Sequence, residues 1–132
     1  MDRLTIQRES KQLAQQLGKG TEERAVHWLL EERKAKILAR NYRCKLGELD
    51  LVFEEYDPES DEITLVFTEV KARSPDCELE GLEVLSWQQS QRIRKTAEYF
   101  LAKYSGRASN TRFDFLLLFN NEWKYFPNYL AL

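Results

Sequence analysis

The sequence predicts an α/β sandwich whose mixed sheet is covered by helices, and three features of it lead there. Three segments space their apolar residues like one face of a helix, the first two consecutive. Five short runs alternate or concentrate apolar residues like strands, and turn residues punctuate them in the order α, β, β, β, α, β, β. At 132 residues the chain suits one domain over 1–132, long enough to bury a single core without disulfide or metal staples.

Residues 5–17 are polar, with Leu13, Ala14 and Leu17 on one helical face, and G-K-G at 18–20 ends that helix. Thr21 is placed to cap a second helical segment. Ala25, Trp28 and Leu29 carry its inner face to about residue 34, and Glu22, Glu23, Arg24 and Glu31 lie opposite. From Lys36 the period changes. I-L-A-R-N-Y-R reads as a strand, Gly47 marks a turn, and E-L-D-L-V-F-E-E reads as a second strand. Tyr56 to Asp61 holds a turn signal, and I-T-L-V-F-T-E-V-K-A is a third strand, apolar enough to be central, ended by Ser74-Pro75-Asp76. These three runs form an antiparallel meander. After an acidic loop over 75–85, Ser86 caps a long helix reaching about Tyr104, with Ile93, Ala97, Phe100 and Leu101 on its core side. R-F-D-F-L-L-L-F and E-W-K-Y-F follow as two strands joined by Asn120-Asn121, a two-residue hairpin turn.

The composition excludes several classes. An apolar fraction of 42% and an aromatic fraction of 12% are those of a folded chain. The apolar runs are too short to cross a bilayer. Cys44 and Cys77 form no C-x-x-C pair, and the chain opens with no secretory pattern, so the cytoplasm is the expected compartment. The 20 Lys+Arg against 22 Asp+Glu give a net charge of -2, which argues against tight nonspecific DNA binding. Basic residues nevertheless gather near the acidic motifs: Arg40, Arg43 and Lys45 before G-E-L-D, Lys71 and Arg73 in and after E-V-K, then Arg92, Arg94 and Lys95. Of these, Arg43, Lys45, Arg73 and Arg92 are the candidate substrate contacts; the competing reading of each is solvated surface charge.

Asp50 lies within an apolar strand, and Glu69 ends another. Carboxylates are rarely buried there without a partner, so two on adjoining core strands call for a cation. If the second and third strands pair, Asp50 and Glu69 approach each other on one face. Hard oxygen ligands of this kind suit magnesium or manganese, which keep several waters and accept one or two carboxylates with a substrate phosphate. Lys71 follows Glu69 by two residues and so shares its face, where it can stabilise a phosphoryl transition state or orient the attacking water. Glu22 can complete the metal shell, or it can be a first-turn acid favoured by the helix dipole. His27 reads as a helix-surface residue. Trp28, Trp87 and Trp123 read as core or core-edge residues rather than base-stacking platforms.

The motifs G-T-E-E-R-A-V-H-W-L, I-L-A-R-N-Y-R, G-E-L-D-L-V, L-V-F-T-E-V-K-A-R and R-F-D-F closely resemble the YraN-like family of small bacterial proteins, over roughly residues 11 to 130. That family is similar in turn to archaeal Holliday-junction resolvases and to the PD-(D/E)xK nuclease superfamily. The resemblance implies a restriction-endonuclease-like αβββαβ sandwich. It places metal binding on Asp50 and Glu69, hydrolytic assistance on Lys71, and a backbone carbonyl ligand on Val70. The first-helix glutamate of the family falls on Glu22, with Glu23 one step away, and Glu48 is expected on the strand face of Asp50. Where the family shows a lysine early in the last long helix, this chain has Gln89, a helper at that point in other branches. The implied function is a Mg2+- or Mn2+-dependent endonuclease hydrolysing DNA phosphodiester bonds, with branched or damaged DNA as candidate substrates. A homodimer and a protein partner that recruits the substrate are the expected associations. The alternatives are a noncatalytic nucleic-acid-binding or scaffold protein that keeps the fold, and a hydrolase of a smaller phosphodiester.

Overall fold

A computed structural model describes residues 20–73 and 86–130. The helix expected over 5–17, the strand end at Ser74-Pro75-Asp76, the acidic loop over 75–85 and Cys77 lie outside the described residues. Helix α1 occupies 20–32, and Thr21, Ala25 and Leu29, one turn apart in succession, are its buried stripe. Thr21 therefore sits inside the helix rather than capping it. The strands are β1 (Lys36–Cys44), β2 (Gly47–Asp57), β3 (Glu62–Arg73), β4 (Asn110–Phe119) and β5 (Glu122–Leu130), with helix α2 (Trp87–Lys103) between β3 and β4.

The sheet has the order β1-β2-β3-β4-β5. The first three strands form the expected antiparallel meander, β4 runs parallel to β3, and β5 pairs antiparallel with β4. The sheet is thus mixed, five-stranded and flanked by helices, an α/β arrangement consistent with a restriction-endonuclease-like sandwich. Asn120 and Asn121 join the last hairpin with φ of 50° and 64°, the left-handed pair that a two-residue turn requires.

Two apolar layers sandwich the sheet. Against α1 lie Leu51, Phe53, Val66 and Leu116 with Ala25 and Leu29; against α2 lie Leu49, Val52, Leu65, Phe67 and Phe113 with Ile93 and Ala97. Strand β3 feeds both layers because Leu65 and Phe67 point one way and Val66 the other. Each such Leu or Phe stabilises the fold by about 1.5–3 kcal/mol.

Ser86 caps α2 as expected: its hydroxyl accepts from the Gln89 amide at 3.1 Å, and the Gln89 side chain accepts from the Ser86 amide at 2.9 Å. Two expectations for this helix are corrected. Trp87 is 75% exposed because it begins the helix, more than a turn ahead of Ile93, the first residue of α2 buried against the sheet. Leu101 is exposed because the helix has reached edge strand β1, where Phe100 takes the contact, edge-on to Tyr42 and Phe67. Gly47 opens β2 just after the Lys45-Leu46 turn. A Cβ there would meet Thr96 Oγ1 at 2.8 Å, so the close approach of α2 demands glycine.

The R-F-D-F motif is structural. Asp114 is fully buried and accepts from Arg112 Nε at 2.7 Å, Arg112 Nη2 at 2.8 Å, the Asn128 amide at 2.9 Å and the Tyr125 hydroxyl. The β4–β5 register shifts between Phe113 and Phe115, and the Asp114 carboxylate satisfies the amide of the extra β5 residues. Arg112 also reaches Glu55 at 3.3 Å, and Glu55 holds Arg33 through two bonds of 2.8 and 2.9 Å. The Arg33 guanidinium covers the Tyr125 ring at 4.3 Å, which closes the network.

Candidate active site

Strands β2 and β3 pair from Asp57↔Glu62 to Leu51↔Thr68. One residue further, the amide of Val70 donates to Asp50 Oδ2 at 2.8 Å. A side chain thus takes an amide where the ladder ends, and the two strands meet as a fork rather than as a continued sheet. Side-chain alternation breaks at the same point: Leu49 packs in the α2-side layer and Leu51 in the α1-side layer, although they are two residues apart. Strict strand parity therefore does not carry from Glu48 through Asp50. Glu48 is exposed and paired with Arg43 at 3.3 Å.

Asp50 and Glu69 lie within hydrogen-bonding reach of each other at this fork. Burial holds the Asp50 carboxyl above the usual range, with the Val70 amide, Glu69 and Lys71 pulling it back down and Glu22 pushing it up. Glu69 is pushed up to about 8, by burial first and then by the charge of Asp50. Each carboxyl therefore opposes the ionisation of the other. Two crowded carboxyls that resist ionising together are a site where a cation can be held in place of a proton. Lys71 Nζ stands 3.8 Å from Glu69 Oε2 on the face the E-x-K spacing predicts.

Glu22 and Glu23 are separated by their partners. Asn41 Nδ2 donates to Glu22 Oε2 at 3.0 Å, and the charge of Glu22 acts on Asp50, whereas Glu23 is exposed and bound by Arg40 at 2.5 Å. Among the described residues no three His, Cys, Asp or Glu side chains converge into a closed metal cage. The donor set at the fork still fits magnesium or manganese, which need only one or two carboxylates beside waters and substrate phosphate.

The remaining candidates divide by position. Arg43, Lys45 and Arg92 are all exposed around the β1–β2 turn, with Arg92 packed beside Gly47; Arg73 ends β3, its guanidinium on the Ala72 carbonyl at 3.2 Å. All four lie at the end of the sheet that carries Asp50 and Glu69, since β2 begins there and β3 ends there. Gln89 is exposed, and its side chain is spent on the α2 cap. Val70 packs its side chain toward α1 and gives its amide to Asp50. His27 is exposed, while Trp28 and Trp123 pack against the α1-side layer. Asn41 escaped the sequence reading, although an asparagine within a strand pattern is a signal in itself, being a weak strand former that tolerates left-handed backbone.

Known proteins agree with the motifs. The model of the uncharacterised protein family UPF0102 matches residues 21–118. A UPF0102 protein of Caldicellulosiruptor saccharolyticus is 33% identical over 106 residues, covering 80% of this chain and 84% of its own length. One of Pelotomaculum thermopropionicum is 36% identical over 107 residues, 80% and 83% of the two chains. One of Frankia casuarinae is 44% identical over 84 residues, 64% and 66%. The chain belongs to the UPF0102 family, the YraN-like family that its motifs resemble.

Proposed function

We propose that this protein is a divalent-metal-dependent endonuclease that hydrolyses DNA phosphodiester bonds, with Mg2+ or Mn2+ at the β2–β3 fork. The observation that carries the reading is the half-buried Asp50–Glu69 pair, two carboxyls brought together beside Lys71 at the point where the two strands separate. Asp50 and Glu69 would hold the ion, with the Val70 carbonyl and Glu22 as further ligands, direct or through water. The bound ion would polarise a phosphoryl oxygen and lower the pKa of a water. Val70 fixes the Asp50 carboxylate through its amide, so that oxygen is oriented before any ligand arrives. The Lys71 ammonium, partly open to solvent, is placed to take up charge that develops on the phosphate. Arg43, Lys45, Arg73 and Arg92 give the same end of the sheet a basic rim, which offsets the overall charge of -2 where a strand would approach.

The second reading is a noncatalytic nucleic-acid-binding or scaffold protein that keeps the fold. The use of Gln89 in the helix cap favours it, because that leaves the helix's helper position occupied with structure. Incubating the protein with Mg2+ or Mn2+ and linear, flapped, nicked and four-way DNA separates the two. The endonuclease reading expects cleavage that is lost in Asp50→Ala and Glu69→Ala. Band shifts without cleavage in either metal would move the protein to the second reading, and cleavage surviving both substitutions would overturn the site. Sedimentation of the protein with and without DNA tests the expected homodimer, and a pull-down tests for a partner that delivers substrate.

A further inference from the structure

Asn41 lies in the middle of edge strand β1 with φ 51°, a left-handed conformation inside a strand. Its neighbours Arg40 and Tyr42 pair with Leu51 and Leu49, so the register sets Asn41 directly across from Asp50. Alternation fails in β1 at this rung as it does in β2: Ala39 and Tyr42, three residues apart, pack into the same α2-side layer. Both strands therefore lose phase at one rung, and the two residues on it are Asn41 and Asp50.

The three acids around this rung are held differently. Arg40 binds Glu23 at 2.5 Å and Arg43 binds Glu48 at 3.3 Å, so each of those charges is met by a cation. Glu22 is held instead by the neutral amide of Asn41 at 3.0 Å. A neutral donor fixes a carboxylate without cancelling its charge, which is what an outer metal ligand needs.

We propose that Asn41 is a positioning residue that holds the Glu22 carboxylate toward Asp50, so that Glu22 joins the coordination of the cation at the fork. This rests on the metal reading of the Asp50–Glu69 pair. The left-handed backbone of Asn41 is then part of the site, since it turns the amide from the strand toward α1.

Mn2+ titration of the full chain, followed by the electron paramagnetic resonance signal of free Mn2+, tests it. Glycine accepts φ 51° without strain, so Asn41→Gly keeps the backbone and removes only the amide. Asn41→Gly and Glu22→Gln are each expected to weaken Mn2+ binding about tenfold, and the double variant no further, because both remove one coupled interaction. The metal-free melting temperature of Asn41→Gly is expected to stay at the wild-type value. Wild-type Mn2+ affinity in Asn41→Gly, multiplied losses in the double variant, or a lowered metal-free melting temperature would each overturn the proposal. Asp50→Asn and Glu69→Gln separate it from its premise. If these two lose Mn2+ while Asn41→Gly does not, only the role of Asn41 falls; if they bind as wild type, or the wild type takes up none, the metal reading falls and takes the proposal with it.

Discussion

Replacing Asp114 by alanine removes the one acceptor on which three groups of the β4–β5 hairpin depend. The Arg112 guanidinium loses bonds of 2.7 and 2.8 Å, the Asn128 amide loses one of 2.9 Å, and the Tyr125 hydroxyl loses its partner. Of its acidic partners among the described residues Arg112 keeps Glu55 at 3.3 Å, and Glu55 is already shared with Arg33. Breaking a buried pair by removing one partner typically costs about 3–5 kcal/mol, because the other charge stays buried. Arg112 is 21% exposed on its side chain, and some water will reach it, which sets the expectation near the lower end, about 3 kcal/mol. With a urea slope of about 1.5–2 kcal/mol/M for a domain of this size, the midpoint should fall by roughly 1.5–2 M. Equilibrium urea unfolding followed by far-ultraviolet circular dichroism measures this. Added salt should change the loss little, since the Asp114 carboxylate is fully buried even though Arg112 is partly exposed. A midpoint shift below about 0.5 M would refute the reasoning, because a fully buried carboxylate with four donors cannot be removed so cheaply.

Gly47→Ala should cost about 1–3 kcal/mol in the same assay, since its Cβ would stand 2.8 Å from Thr96 Oγ1; adding Thr96→Ala should recover part of that, and no recovery would exclude this contact as the cause. The metal-free protein should lose stability as pH rises. Glu69 is raised from 4.5 to about 8 on folding, so its contribution is complete below about pH 4.5 and disappears as pH passes about 8. Glu69→Gln should flatten that slope in urea midpoints taken from roughly pH 5 to 9, and a wild-type midpoint indifferent to pH over this window would contradict it. Trp87→Ala should change stability by less than about 0.5 kcal/mol, because the side chain is 75% exposed; a larger loss would mean that the ring is covered in solution.

Much of this fold is legible in the sequence because local chemistry and tertiary need coincide. Ser86 is a good cap with glutamine three residues on, and the capping box forms. Asn120-Asn121 tolerates two left-handed residues, and the hairpin turns there. The expectations fail where long-range packing decides. Helical period places Leu101 one turn past Ala97 on the inner stripe, but the period cannot show that the sheet ends beneath it. The same holds for Trp87, whose large apolar ring suggests burial although it begins the helix ahead of the residues that meet the sheet. Gly47 reads as a turn residue when the constraint comes from α2, far along the chain. At the candidate site, the spacing of Glu69 and Lys71 is a local matter and the pair lies on one face. The rung shared by Asn41 and Asp50 is not legible, because periodicity assumes the very alternation that both strands break.

G-E-L-D and R-F-D-F look equivalent as sequence, each an aspartate embedded in an apolar strand. Their environments differ in the one quantity that separates structure from function, the acceptor capacity left over. An ionised carboxylate offers about four lone-pair positions. Asp114 has all four filled, two by Arg112 and one each by Asn128 and Tyr125, and a guanidinium balances its charge. A ligand could gain access only by dismantling the hairpin. Asp50 receives the Val70 amide on one oxygen, and its other close neighbour is a second carboxyl, whose ionisation it opposes. The charged group facing them, Lys71, is nearer to Glu69 at 3.8 Å and partly in water. Half-burying two acids this way costs stability that apolar residues at 50 and 69 would not cost. A fold that satisfies Asp114 so completely has the means to satisfy Asp50 as well, with an arginine on a neighbouring strand. That it places a second acid there instead is the physical argument for a cation at the fork.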